Sequence, residues 1–172
     1  PANAQAFSFD FNFMSIEFPE FVCSTFDDTF LAMLEYNAFT GNVSFDSMGN
    51  RVSINVGFFN VCETDSIYPT ETAPCLGEAD LLGTGFNHAS SVGAGGGGTG
   101  WLTTTAPVVP GEKIRLTFMI FDEGDHSLDS TVLIDNFRWE IEAVDGPVTV
   151  DSVIDPNWDR GPRELEIDEL EK

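Results

Sequence analysis

The chain has 172 residues, with 7 basic against 29 acidic side chains and a net charge of −22. That length fits one domain with a full core, and a hydrophobic share of 42% is too high for a disordered acidic chain. The charge argues against nucleic acid and anionic membranes and favours cations, and the longest apolar runs fall far short of the roughly 18 residues a membrane helix needs.

Ala6 to Phe13 alternates Phe7, Phe9, Phe11 and Phe13 with Ser8, Asp10 and Asn12, the period-two pattern of a half-buried strand. Phe18-Pro19-Glu20-Phe21 ends it. Asp28 to Tyr36 is apolar enough for a buried strand. Val43–Phe45 and Val52–Phe59 are two further β runs, joined by Asp46-Ser47-Met48-Gly49-Asn50, a hairpin connection with Gly49 at a left-handed position. Residues 60–100 read as a long loop, with Pro69, Pro74 and the run Gly93–Gly100, so a function or a staple is expected there. The glycine run lacks the Lys-Ser/Thr of a phosphate-binding loop and leads into a strand.

Trp101–Ala106 is a short strand and Pro107–Glu112 a turn. Lys113–Phe121 alternates again, with Ile114, Leu116, Phe118 and Ile120 on one face. Asp122–Ser130 is a polar, acidic loop. Thr131–Ala143 is the longest strand, with Leu133, Phe137, Trp139 and Ile141 expected on one face and Trp139 in the core; Asp135 shares that register, and a hydrogen-bonding role is expected for it. Val148–Val153 is a last strand. Short strands between Gly and Pro turns, without βα alternation, predict an all-β fold: an antiparallel β-sandwich or jelly roll over residues 1–154, with a long Gly-rich loop. Residues 155–172 form a short acidic C-terminal tail, with Leu165, Ile167 and Leu170 at near-helical spacing, suited to a short helix or to attachment to a neighbouring module.

Of three cysteines, Cys62 and Cys75 flank a turn-rich segment, and a disulfide between them would add about 2–3 kcal/mol in an oxidising compartment. Cys23 is then left over. A start at Pro1 fits a processed form or a piece of a longer protein.

The densest polar constellation is Asp122-Glu123-Gly124-Asp125-His126-Ser127-Leu128-Asp129-Ser130. Oxygen donors clustered in a loop suit Ca2+, which takes 6–8 oxygens at roughly 2.3–2.6 Å, although the spacing is not that of an EF-hand. Asp122, Asp125 and Asp129 are the expected ligands. Asp27 and Asp28, at the start of a strand, complete the same site if the two elements are neighbours. His126 beside these aspartates is a weak general-base candidate, and no nucleophile elbow, HExxH or Cys/His pair accompanies it; no catalytic role is expected. Trp101, Trp158 and Tyr68, in or beside loops, are candidates for stacking on sugar rings.

The segments Ser8-Phe9-Asp10-Phe11, Glu17-Phe18-Pro19-Glu20-Phe21, Asp27-Asp28-Thr29-Phe30, Gly98-Thr99-Gly100-Trp101-Leu102-Thr103-Thr104 and Pro110-Gly111-Glu112 resemble bacterial choice-of-anchor surface domains. So do Phe121–His126 and Leu128–Asn136, and the likeness spans approximately Phe7 to Glu140. The resemblance implies an extracellular β-sandwich module of large secreted or surface proteins and supplies no catalytic residues. The expected function is a non-catalytic extracellular or cell-surface adhesion module stabilised by calcium. The alternatives are a structural subunit of an extracellular filament and a carbohydrate-binding module. A surface glycan or a neighbouring protein module is the expected partner, with homo-oligomers formed through edge strands or the tail.

Overall fold

The computed structural model describes residues 1–55, 58–61, 77, 79–87, 95–124 and 127–153. The phenylalanine alternation forms β1 (Ala6–Ser15), which lies inside a four-stranded sheet, sheet A, ordered β7-β1-β5-β8. There β1 pairs with β5 (Gly97–Pro107) and β7 (Ser130–Glu140), β8 (Val148–Asp151) pairs with β5, and every pairing is antiparallel. Sheet B is built around β2 (Thr29–Tyr36). On one side β2 pairs with β6 (Arg115–Phe121), and on the other with β3 (Phe39–Asn42) and the short β4 (Val52–Ser53). A 3-10 turn at Ala79–Leu81 is the one helical element among the described residues.

The two sheets face each other across one apolar core, as the expected sandwich requires. Phe7, Phe9, Phe11 and Phe13 all point into it and are fully buried. They meet sheet B ring to ring: Phe11 lies 4.7 Å from Phe30, and Phe9 lies 5.0 Å from Phe118 in an edge-on contact. Such pairs add about 0.5–1.5 kcal/mol each beyond the area they bury. The alternate residues of β1 face outward. There the Asp10 carboxylate accepts hydrogen bonds from Thr103 Oγ1 (2.7 Å), Asn136 Nδ2 (2.8 Å) and Arg138 (3.4 Å), which ties three strands of sheet A together. A smaller cluster of Met14, Val61, Leu81 and Phe86 packs on that outer side.

The Asp46–Asn50 hairpin forms as the sequence predicts. Asp46 N donates to Asn50 O, Phe45 bridges Arg51, and Gly49 takes φ +85°. The glycine run differs from its reading as loop. Gly97–Gly100 is the first part of β5, paired with the end of β1; Gly97 lies under the Phe18 ring, where a Cβ would clash, and Gly98 lies closely against Met14 and the Phe13 carbonyl.

Strand β7 also departs from simple alternation. The β1–β7 register slips between Ser8 and Asp10, opposite Arg138 and Asp135, and Asn136 there adopts φ +54°. This bulge switches faces. Leu133 stands opposite Asn12 on the outer side, whereas Trp139 pairs with Phe7 and Phe137 stacks on Phe7 at 5.6 Å, both towards sheet B. Leu133, Phe137 and Trp139 therefore do not share a face. Trp139 is not a core residue either, at 40% exposure, because β7 is an edge strand. Asp135 is exposed and accepts a hydrogen bond from Asn136 N.

The flank formed by β8 and the strands beyond β2 is closed. Ser44 Oγ, Thr104 Oγ1 and Thr149 Oγ1 form a hydrogen-bonded chain with links of 2.9 Å, and Phe45 N donates to Thr149. Cys62, Cys75, Tyr68 and Trp158 lie outside the described residues, as do the tail 155–172 and Asp125. Cys23 is an exposed free thiol at φ +63°.

Candidate metal centre

Three carboxylates converge at one end of the sandwich. Glu17 lies two residues beyond the end of β1, and its backbone N–H is held by Ser15 Oγ at 3.0 Å. Asp28 directly precedes β2, and Asp122 directly follows β6. One ligand oxygen from each lies within 4.8 Å of the others. The β2–β6 pairing explains the meeting of Asp28 and Asp122: Thr29 is opposite Phe121, so the residues just beyond both strand ends become neighbours. Glu17 reaches them from the other sheet, because β1 ends over the same edge of the core.

Two of the three carboxylates are sealed from water. Glu17 is 1% and Asp28 0% exposed, while Asp122 is exposed and opens the cluster to solvent. Asp28 is held from several directions. Its N–H points to Glu17 Oε2 at 3.4 Å, its Oδ1 accepts from Glu123 N at 3.3 Å, and its Oδ2 accepts from Ser130 Oγ at the start of β7. Residues next to β1, β2, β6 and β7 thus meet at one point, and they belong to both sheets. Burial pushes the Asp28 carboxyl above its ordinary 3.8, and the Asp122 charge adds to the rise, against the opposing hydrogen bonds from Ser130 and the Glu123 backbone.

The rim carries the compensating charge. The Arg51 guanidinium lies 2.9 Å from Glu123 and 3.8 Å from Asp27. Asp27 is therefore paired to Arg51 and does not belong to the three-carboxylate group, though its Oδ1 is buried without a hydrogen bond. Asp129 is exposed, and its backbone carbonyl accepts from Ile16 N. Of the ligands expected from sequence, the structure brings together Asp28 and Asp122 and adds Glu17. The sequence signal for Glu17 is a charge set between Ile16 and Phe18, a context in which a solvated turn would not place it. Trp101 is not among the residues that meet there; it stands on the outer side of sheet A opposite Asn12 and outside both apolar clusters.

The donors are all hard oxygens, without imidazole or thiolate, which suits calcium rather than zinc. Two buried anions beside a third are costly unless paired, hydrogen-bonded or bound to a metal. Three carboxylates and the adjacent Ser130 hydroxyl offer a partial oxygen shell, which water at the exposed Asp122 side would complete.

Among the described residues no helix is long and apolar enough to cross a membrane. No curated protein and no solved structure matches the chain. The sequence model of the Choice-of-anchor L domain matches residues 1–138 of the 172, and the chain belongs to that family, one of non-enzymatic, surface-associated domains.

Proposed function

We propose that this chain is a calcium-stabilised, non-catalytic extracellular module that presents a rigid β-sandwich in adhesion or assembly at a cell surface. The observation that carries the calcium reading is the near-complete burial of Glu17 and Asp28 beside Asp122, at the point where both sheets end. A divalent cation there replaces mutual repulsion with shared coordination and pins β1, β2 and β6 to one another. The surface role rests on membership of a surface-domain family and on an acidic, Lys-poor composition suited to calcium-containing media.

The test is thermal unfolding at pH 7 in calcium and in EDTA, for the wild type and for Glu17→Gln and Asp122→Asn. Calcium at 100 times its dissociation constant stabilises a one-site protein by about 2.7 kcal/mol, which for a chain of this size is roughly 5–11 °C. Both variants should lose most of that increment. Equal melting temperatures in calcium and EDTA for the wild type would overturn the reading.

A further inference from the structure

Ser8, Asp10 and Asn12 point away from the core, yet all three are buried. Asp10 is satisfied, with Thr103 Oγ1, Asn136 Nδ2 and Arg138 donating to its carboxylate. Asn136 reaches it from the left-handed bulge of β7, the kind of irregularity that re-aims a side chain. Ser152 Oγ lies 2.8 Å from Thr103 Oγ1, and Arg138 Nε donates to Glu140 at 3.0 Å. One hydrogen-bonded line therefore crosses the outer face from β7 through β1 and β5 to the residue after β8. Asn12 differs. It is 4% exposed, and its Oδ1 is enclosed without a hydrogen-bond partner among the described residues. An acceptor buried in that way costs stability and calls for a partner.

We propose that this face binds a neutral saccharide, with Trp101 as the stacking surface and Asn12 and Thr103 as hydroxyl partners. Register sets Leu133, Asn12 and Trp101 side by side across three strands, a row about 10 Å wide, and Thr103 stands about 7 Å from Trp101 along β5. Trp101 is partly exposed and held by neither apolar cluster. Docking turns its ring and opens Asn12 Oδ1 to a hydroxyl donor. Thr103 Oγ1 donates to Asp10 and takes a bond from Ser152, which leaves it one lone pair for a second hydroxyl. The cluster of Met14, Val61, Leu81 and Phe86 covers the next row, where Met14 pairs with Gly98, and walls the site on that side.

Charge selects against other partners. The Arg138 guanidinium on this face is neutralised by Asp10 and Glu140. A chain of net charge −22 then repels an anionic sugar, a phosphate or a nucleic acid. An apolar protein surface would seal the Asp10–Arg138 pair from water and leave Asn12 Oδ1 unpaired, at a cost in both places. A neutral sugar ring does neither. Its C–H face packs on an indole, and its hydroxyls both donate and accept, the pairing of apolar surface with a few placed polar groups that ligand sites use. This inference gives the proposed surface role its partner class and rests on that reading for its setting, while the site shares no residue with Glu17, Asp28 and Asp122.

Titrating the full chain with neutral hexasaccharides of glucose, mannose, galactose and N-acetylglucosamine, followed by amide NMR shifts, tests this. At least one should move the amides of Asn12, Trp101 and Thr103 to saturation. Trp101→Ala should weaken that binding at least about tenfold, and Trp101→Phe, which keeps a ring, by less than about threefold. Asn12→Leu should weaken it about tenfold and melt no lower than the wild type, because the change removes an unpaired acceptor and no bond. Trp139→Phe, on the side facing sheet B, should bind as the wild type does. Melting in calcium and in EDTA on the same samples reads the cation site separately, so either reading can fail alone. Four results would overturn the proposal: no saturable shift with any of the four sugars, shifts centred away from Asn12 and Trp101, binding that survives Trp101→Ala, or an Asn12→Leu chain that melts below the wild type.

Discussion

Replacing Gly97 by Ala reverses the usual sign of such a change. A glycine in a plain mobile segment costs unfolded-state entropy, and Ala there stabilises by about 0.4–1 kcal/mol. At Gly97 a Cβ would stand 2.2 Å from Phe18 Cδ1 and 3.0 Å from both Cε1 and Cγ. Phe18 is fully buried between Phe59, 5.0 Å away ring to ring, and the strand itself, so the ring has little room to withdraw. Overpacking of this kind costs about 1–3 kcal/mol. For a chain of this size each kcal/mol moves the midpoint by about 2–4 °C, so the melting temperature should fall by roughly 2–12 °C. Urea unfolding gives the free energy directly, with Gly146→Ala as the control: no atom lies within 4 Å of a Cβ there, so that variant should be neutral or slightly stabilised. A Phe18→Leu background should shrink the Gly97→Ala penalty, because the clash is with the ring. A neutral or stabilising Gly97→Ala would refute the close approach and return the glycine run to an open loop.

Two further changes test the core and the carboxylate cluster. Phe30→Ala removes a fully buried ring that contacts Phe11 at 4.7 Å and stands 6.3 Å from Phe118, and it should cost about 3–5 kcal/mol in urea unfolding; a loss under 1 kcal/mol would mean the two sheets are not joined through this ring. Asp28→Asn should stabilise the calcium-free protein at pH 7. The folded pKa is raised above the ordinary 3.8, so the folded state binds this proton more tightly than the unfolded state, and stability falls as pH rises from 3.8 through the raised value. In EDTA the wild type should therefore lose stability across that window by more than the variant does, and parallel pH profiles for the two would refute it.

Much of the sandwich was legible in β1. Period-two alternation of phenylalanine with Ser8, Asp10 and Asn12 specifies a strand and its inner face, but not that its polar face is covered too: Ser8, Asp10 and Asn12 are all buried, in a strand flanked by β7 and β5. The Asp46–Asn50 hairpin was legible for a local reason, since a Gly with φ +85° between two β runs has few other uses. Gly97–Gly100 was not, because a glycine run looks alike whether the chain is loose or an aromatic ring presses on it; the difference lies in Phe18, some 80 positions away. The bulge at Asn136 was hidden for a related reason. One inserted residue reverses every later side chain, and nothing local to Asp135-Asn136 announces it. At the carboxylate cluster Asp122 and Asp28 were readable as acids in loops. Glu17 joins them through the β1–β7 and β2–β6 pairings, contacts that local sequence does not encode.

The placement of that cluster bears on why a surface module would keep buried acids at all. Three unit charges within 4.8 Å of one another, at an effective dielectric constant near 20, repel by about 3.5 kcal/mol per pair. Hydrophobic residues would avoid the repulsion and close the same end unconditionally. Carboxylates make the closure conditional. With a divalent cation bound, residues bordering β1, β2 and β6 share one centre, and Ser130 of β7 is attached through Asp28. Without the cation, protonation of Asp28 relieves only part of the repulsion, and the end of the sandwich next to Asp122 is the first place to loosen. Calcium is abundant outside cells and scarce inside them, so such a joint stiffens where a surface domain works. The joint lies at the end of β6, so a divalent cation bound by Asp122 would fasten that end of the strand to the start of β2 and to the chain just beyond β1.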